Sequence, residues 1–279
     1  MPEAGNSSPV ISGDRIFLTQ PNTEKKRRGL LCLDRESGKT LWEKSVEYEA
    51  EERTHRTNHF CSSSPATDGE RVIVAYGSAG IYCYSLDGRE LWRRDLGTID
   101  HVWGYGSSPL IHEDLCIHYH GPGKGSALIA LDKKTGKTKW KSKPYRAAYG
   151  SPTSFKSGKS DLIAILKTDG LVILNATNGE SLAFEKWETS YRTNSTTPIV
   201  QDDKIFISTG YKRGCALFQF KNGKLAKLYE NRNLSTHMNN AIPVGDFLYG
   251  FDGNVHMAGP KDFVCIRFST GETQWRTKD

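Results

Sequence analysis

The sequence predicts an all-β chain, a β-propeller of four-stranded antiparallel blades, and three recurring features predict it. A small polar residue before proline recurs at Ser8-Pro9, Ser64-Pro65, Ser108-Pro109, Ser151-Pro152 and Thr197-Pro198, and Ile242-Pro243 continues the series. These prolines stand 43 to 56 residues apart. About 30 residues after each comes a large ring, namely Trp42, Trp92, Trp140, Trp187, Tyr229 and Trp275. Just ahead of each ring lies a turn with glycine: Gly38, Gly88, Gly136, Gly179, Gly223 and Gly271. A period of this length marks stacked supersecondary units, and glycine supplies the positive φ that tight turns need.

Each period divides into four short strands. In the first, Pro9–Ile11, Arg15–Thr19, Leu30–Asp34 and Thr40–Lys44 are separated by turn signals, beginning with Gly13-Asp14. In the third, the equivalents are Pro109–His112, Leu115–Tyr119, Ala127–Asp132 and Thr138–Lys141. Some 46 residues shared by four strands leaves room for the usual strand of about 5–6 residues plus a turn. No stretch carries sustained helical periodicity. The expected blades are about 7–45, 61–97, 106–143, 149–188, 194–230 and 240–279, in a single domain spanning 1–279. Such small sheets bury a core only by stacking on their neighbours.

Composition narrows the class. The 279 residues carry 38 Lys plus Arg against 32 Asp plus Glu, a formal charge of +6, with 27 glycines spread along the chain. A quarter of the residues are charged and a tenth aromatic, which argues against disorder. The longest apolar runs fall far short of the roughly 18 residues of a membrane helix, so no transmembrane segment is expected. Residues 1–10 have no basic or apolar leader region, so no signal peptide is expected in this segment. The cysteines (32, 61, 83, 116, 215 and 265) form no CxxC pair, and several lie in apolar strand-like runs. Buried free thiols are expected rather than a disulfide framework.

Ala130-Leu-Asp-Lys-Lys-Thr-Gly-Lys-Thr-Lys-Trp140 resembles the tryptophan-docking motif of the PQQ-like, quinoprotein-type propellers, and residues 32–42 and 266–275 are looser copies. The resemblance covers essentially the whole chain. It implies that each motif joins a blade's third and fourth strands, that its Trp docks between blades and that its Gly occupies the tight turn. Trp42, Trp140 and Trp275 are therefore expected to be buried between blades. The family closes rings of seven or eight blades. Six repeats are seen here, so the expectation is further sequence at one or both ends, with a six-blade ring as the alternative. The departures are a shortened turn before Trp92, an offset Trp187 and Tyr at 229. The resemblance also implies an exported, periplasmic protein.

The leading functional expectation is a non-catalytic binding and interaction scaffold, with no cofactor, no metal and no catalytic residue. The alternative is an oxidoreductase using PQQ with calcium or another small cofactor. Enzymes of that family use a carboxylate base and acidic or amide metal ligands, and no such set is evident in the loops. Candidate binding residues come from position. Six residues before the prolines of the second to sixth repeats stand His59, Trp103, Arg146, Arg192 and His237, with Asn58, Asn194 and Asn239 close by. Loops entering the innermost strands are expected to ring one mouth of a channel, and this set suits a protein partner or a small anionic or glycan-like ligand. The histidines are expected to add charge below about pH 6.5.

Other clusters carry blander expectations. His118 and His120 share a strand face without a third metal ligand, so surface or channel-lining positions are expected. Gly121–Gly125 is expected to be a hairpin loop rather than a phosphate loop, since no helix follows. Lys25-Lys26-Arg27-Arg28 reads as a solvated hairpin tip, and no nucleic-acid partner is expected. The glutamates at 47, 49, 51 and 52, beside Arg53, His55, Arg56 and His59, read as a solvated loop.

Overall fold

The computed structural model describes residues 3, 5–49, 51–99, 101–120, 126–146, 148–259 and 261–277. The loop at 121–125 lies outside the described residues. The chain divides into two compact units, Met1–Ala147 and Ala148–Asp279.

The first unit holds three sheets. They comprise β1 (Val10–Ser12), β2 (Arg15–Asn22), β3 (Arg27–Asp34) and β4 (Thr40–Glu47); β5 (Ala66–Thr67), β6 (Arg71–Ala75), β7 (Ile81–Ser85) and β8 (Glu90–Arg94); and β9 (Leu110–His112), β10 (Leu115–His120), β11 (Ala127–Asp132) and β12 (Thr138–Lys141). The second unit holds β13 (Thr153–Ser157), β14 (Ser160–Lys167), β15 (Gly170–Asn175) and β16 (Ser181–Lys186); β17 (Ile199–Gln201), β18 (Lys204–Thr209), β19 (Gly214–Lys221) and β20 (Lys224–Asn231); and β21 (Ile242–Val244), β22 (Phe247–Asp252), β23 (Asp262–Arg267) and β24 (Thr273–Arg276). Within every sheet the strands pair in chain order and antiparallel, and the one helical turn among the described residues is the 3-10 segment Gly77–Ala79.

All six sheets share one irregularity. The register between the third and fourth strands slips by one residue, as a β-bulge does, beside the pairs Cys32↔Trp42, Cys83↔Trp92, Ala130↔Trp140, Ile173↔Ala183, Leu217↔Tyr229 and Cys265↔Trp275. A bulge adds twist and re-aims a side chain. Trp42 then donates Nε1–H to Leu86 O (3.0 Å) and lies against Gly88, and Trp92 donates to Lys133 O (2.9 Å) and lies against Gly136. Tyr229 repeats this with Phe268 O (3.0 Å) and Gly271. A Cβ on Gly136 would stand 2.8 Å from the Trp92 ring, so this glycine answers both a positive φ of +68° and a close approach.

Two rings depart from expectation. The repeated position in the fourth sheet is held by Ala183, while Trp187, just past β16, is fully buried and donates Nε1–H to Thr209 Oγ1 (2.9 Å) beneath the Arg213 guanidinium. Trp275 is 42% exposed and packs on Tyr249 and Phe263 of its own sheet rather than being buried between sheets.

The cores lie between successive sheets. Phe17, Leu30 and Cys32 meet Val72 and Val74; Ile73, Ala75 and Cys83 meet Cys116 and Leu131. In the second unit Leu162, Ala164 and Ile173 meet Ile205 and Phe218, and Phe206 and Leu217 meet Leu248 and Ile266. All six cysteines are buried and free, and burial pushes the Cys61, Cys83 and Cys215 thiols up to about 12. Such thiols pack as small hydrophobes rather than react.

Candidate functional site

Antiparallel order puts two kinds of connection on one edge of each sheet: the segment entering its first strand and the tip joining its second and third strands. All of the position-derived candidates lie in the entering segments.

In the first unit these segments are pinned tightly. Asn58 Nδ2 donates to Trp103 O (2.6 Å), and the backbones of His55 and Asn58 bond each other in both directions. The Trp103 indole stands edge-on to the His55 ring, with centroids 5.2 Å apart, and remains 40% exposed. Gly104, at φ +82°, lets the chain turn directly against Asn58. His59 is exposed and its carbonyl accepts from Ser62 Oγ (2.7 Å), and Arg146 is exposed in the segment leaving β12. The fold thus joins Asn58 to Trp103 and adds His55, a residue of the loop expected to be solvated.

The same loop corrects two further expectations. Arg28 is not part of a solvated tip, and Glu52 is not solvated. Their side chains are 6% and 3% exposed and pair at 2.8 Å. The Arg28 guanidinium lies over the Tyr48 and Phe60 rings and also donates to Tyr76 O, while Glu52 accepts from Ser78 N (3.3 Å). Lys25, Lys26, Arg27, Glu47, Glu49 and Glu51 are exposed as expected. His118 is buried rather than surface or channel-lining, with Nε2 2.7 Å from Tyr105 OH.

In the second unit the expected residues separate by burial. Arg192 is exposed at φ +54°, and Asn239 is exposed. Asn194 is fully buried instead of standing at a rim. Its Nδ2 donates to the carbonyls of Lys167, Thr168 and Trp187, fastening the segment to the β14–β15 tip. His237 is also buried, at 3% exposure, with Tyr211 and His256 against its ring. Burial, and secondarily the neighbouring His256, lowers its pKa to about 4, so it adds no charge near pH 6.5. Tyr191, Tyr211, His237 and His256 form a run of rings with successive centroids 4.8, 4.8 and 5.4 Å apart, contributed by four different connections. Three of those four rings lie outside the position rule: Tyr211 and His256 stand on tips between second and third strands, and Tyr191 stands one residue before Arg192 in an entering segment.

Calcium-held quinone needs oxygen donors in a cluster. Among the described residues no group of three or more His, Cys, Asp or Glu side chains is placed to hold a metal.

Six sheets of four antiparallel strands, each paired in chain order, define a β-propeller of the PQQ-like repeat class. The chain belongs to the family described as outer membrane protein assembly factor BamB, whose profile matches residues 26–277. It is 24% identical over 187 residues to outer membrane protein assembly factor BamB of Burkholderia pseudomallei (strain K96243), an alignment covering 65% of this chain and 41% of that protein. The chain therefore spans less than half the length of this curated relative. Among solved structures it is similar to BamB from Moraxella catarrhalis, with TM-score 0.66 and 17% identity over 97% of this chain and 72% of that one. It is also similar to a europium-containing methanol dehydrogenase, with TM-score 0.61 and 10% identity over 99% and 71%. At these identities the structures speak to fold alone. No helix among the described residues is long and apolar enough to cross a membrane.

Proposed function

We propose that the chain is a non-catalytic scaffold that binds a partner protein through the connections entering its sheets, as part of outer-membrane protein assembly. The bulged rings of β4, β8 and β20 are read as the docking contacts that hold the sheets as a rigid platform for those connections. The observation that carries the reading is Trp103. An indole left 40% exposed while its own backbone and ring are held by Asn58 and His55 loses little freedom on binding and offers a large apolar face. The exposed arginines of the entering segments are Arg146 in the first unit and, in the second unit taken by itself, Arg192, where His237 stays neutral. That favours a protein segment with apolar and acidic side chains over a small anion held by a ring of charges. Family membership supports an exported, periplasmic placement.

The test is co-purification and quantitative binding with components of an outer-membrane assembly machinery. Trp103→Ala and Arg192→Ala, both at exposed positions, should each weaken binding by about tenfold or more without lowering the unfolding midpoint. Unchanged binding in both would remove the loop edge as the interface. Addition of PQQ and calcium should leave the visible spectrum unshifted and dye unreduced.

A further inference from the structure

The chain has three methionines, and two of them, Met238 and Met257, directly follow a histidine. The fold brings these two His-Met pairs together. His237 lies between β20 and β21, His256 lies between β22 and β23, and their rings meet at 90° with centroids 5.4 Å apart. A metal bonded to an imidazole nitrogen at about 2.0 Å stands about 3 Å from the ring centre, so two rings sharing one ion lie about 5–6 Å apart. The two rings already stand at that separation.

The surroundings fix this pair. His237 packs edge-on to Tyr211 at 4.8 Å, and its Nδ1 accepts from Val255 N (3.4 Å), which leaves Nε2 for an outside ligand. A Cβ on Gly210 would stand 2.7 Å from the His237 ring and 2.4 Å from Asn254 Oδ1, so glycine there admits both groups. Asn254 is itself buried; its Oδ1 accepts from Tyr211 N (2.7 Å) and its Nδ2 donates to Met257 Sδ (2.9 Å). A buried amide that shares the notch at Gly210 with the His237 ring thus holds the thioether. His256, Met238 and Met257 are exposed, so an ion has access from water.

We infer that His237, His256 and Met257 bind a single Cu(I) ion. Two imidazoles and a thioether make an uncharged, soft donor set, which suits Cu(I) and disfavours calcium or magnesium. The set contains no carboxylate or thiolate of the kind that structural zinc sites draw on. The six thiols, which would otherwise compete for Cu(I), are all buried. This inference is independent of the scaffold reading.

The experiment is anaerobic titration of the full chain with Cu(I) against a coloured Cu(I) chelator. The protein should withhold one equivalent. His256→Ala should weaken binding by about 10–100-fold and Met257→Leu by about tenfold. Both positions are exposed, and circular dichroism should show both variants folded like the parent. Unlabelled Zn(II) in moderate excess should not displace the copper. Failure to withhold copper, equal binding by the parent and His256→Ala, or displacement by Zn(II) would each overturn the assignment.

Discussion

The joints between successive sheets are built in two ways, and the difference separates position from function. In the first unit Trp42 and Trp92 use the bulged position of the fourth strand to reach a carbonyl and a glycine of the next sheet's turn. In the second unit Tyr229 does the same, but the joint between the fourth and fifth sheets has Ala183 at that position. There the ring comes from Trp187, at the opposite edge, bonded to Thr209 of the next sheet. What the joint requires is a large ring with a donor aimed across it. The repeated slot is one way of supplying that ring.

The largest expected effect tests this directly. Trp187→Ala removes a fully buried indole and leaves Thr209 Oγ1 without its donor, and should cost about 3–5 kcal/mol in urea unfolding. Trp42, in the repeated slot but only half-buried, should cost less when truncated in the same way. A greater loss for Trp42 would mean that the slot, not burial, sets the strength of a joint.

The two loop edges contrast as well, one fastened by charge and the other by rings. Glu52→Gln leaves Arg28 buried among Tyr48, Phe60 and Tyr76 with its charge uncompensated, which should cost about 3 kcal/mol or more. Combining it with Arg28→Met should recover part of that loss. A double variant no better than additive would show the pair to be uncoupled.

A smaller effect sharpens the role of the turns. Gly136→Ala and Gly223→Ala both place a side chain at positive φ, +68° and +74°, but only at Gly136 does the new Cβ meet a ring, that of Trp92. Both substitutions carry about 1–3 kcal/mol of backbone strain. Only Gly136→Ala should add overpacking, about 1–3 kcal/mol more, read as a difference in unfolding midpoints. Equal losses would mean that the indole moves aside freely.

These contrasts also show what the sequence disclosed. Strands and turns were legible because their signals are local. Asp34 and Asp132 cap their own turns through Ser37 and Thr135, and apolar runs mark the central strands. The Arg28–Glu52 pair was not legible, since a four-residue basic run and a glutamate-rich loop each look solvated until the fold sets one against the other. Counting back from proline found connections but not depth. Connections of unequal length put Trp103 on the surface, while the same count buried His237. Trp275 ends a looser copy of the motif, with the same spacing from its glycine as Trp140, yet is 42% exposed, because burial of a docking ring depends on what is packed against it.

The smallest effect concerns that buried histidine. His237 titrates at about 4 in the folded chain against about 6.5 for an exposed imidazole. Between these values the unfolded chain takes up a proton that the folded chain refuses, so stability falls as pH drops from about 6.5 to 4. The group's contribution is fully present above pH 6.5 and reaches a ceiling of about 3 kcal/mol. Burial is the larger cause and His256 the lesser. His256→Gln keeps the burial and removes the neighbouring charge, so the His237 midpoint followed by NMR should rise from about 4 yet stay well below 6.5. The acid-induced loss of stability should shrink in step, by less than about 1 kcal/mol. A midpoint unmoved by His256→Gln would assign the whole depression to burial, and the aromatic edge would then hold its histidine neutral by packing alone.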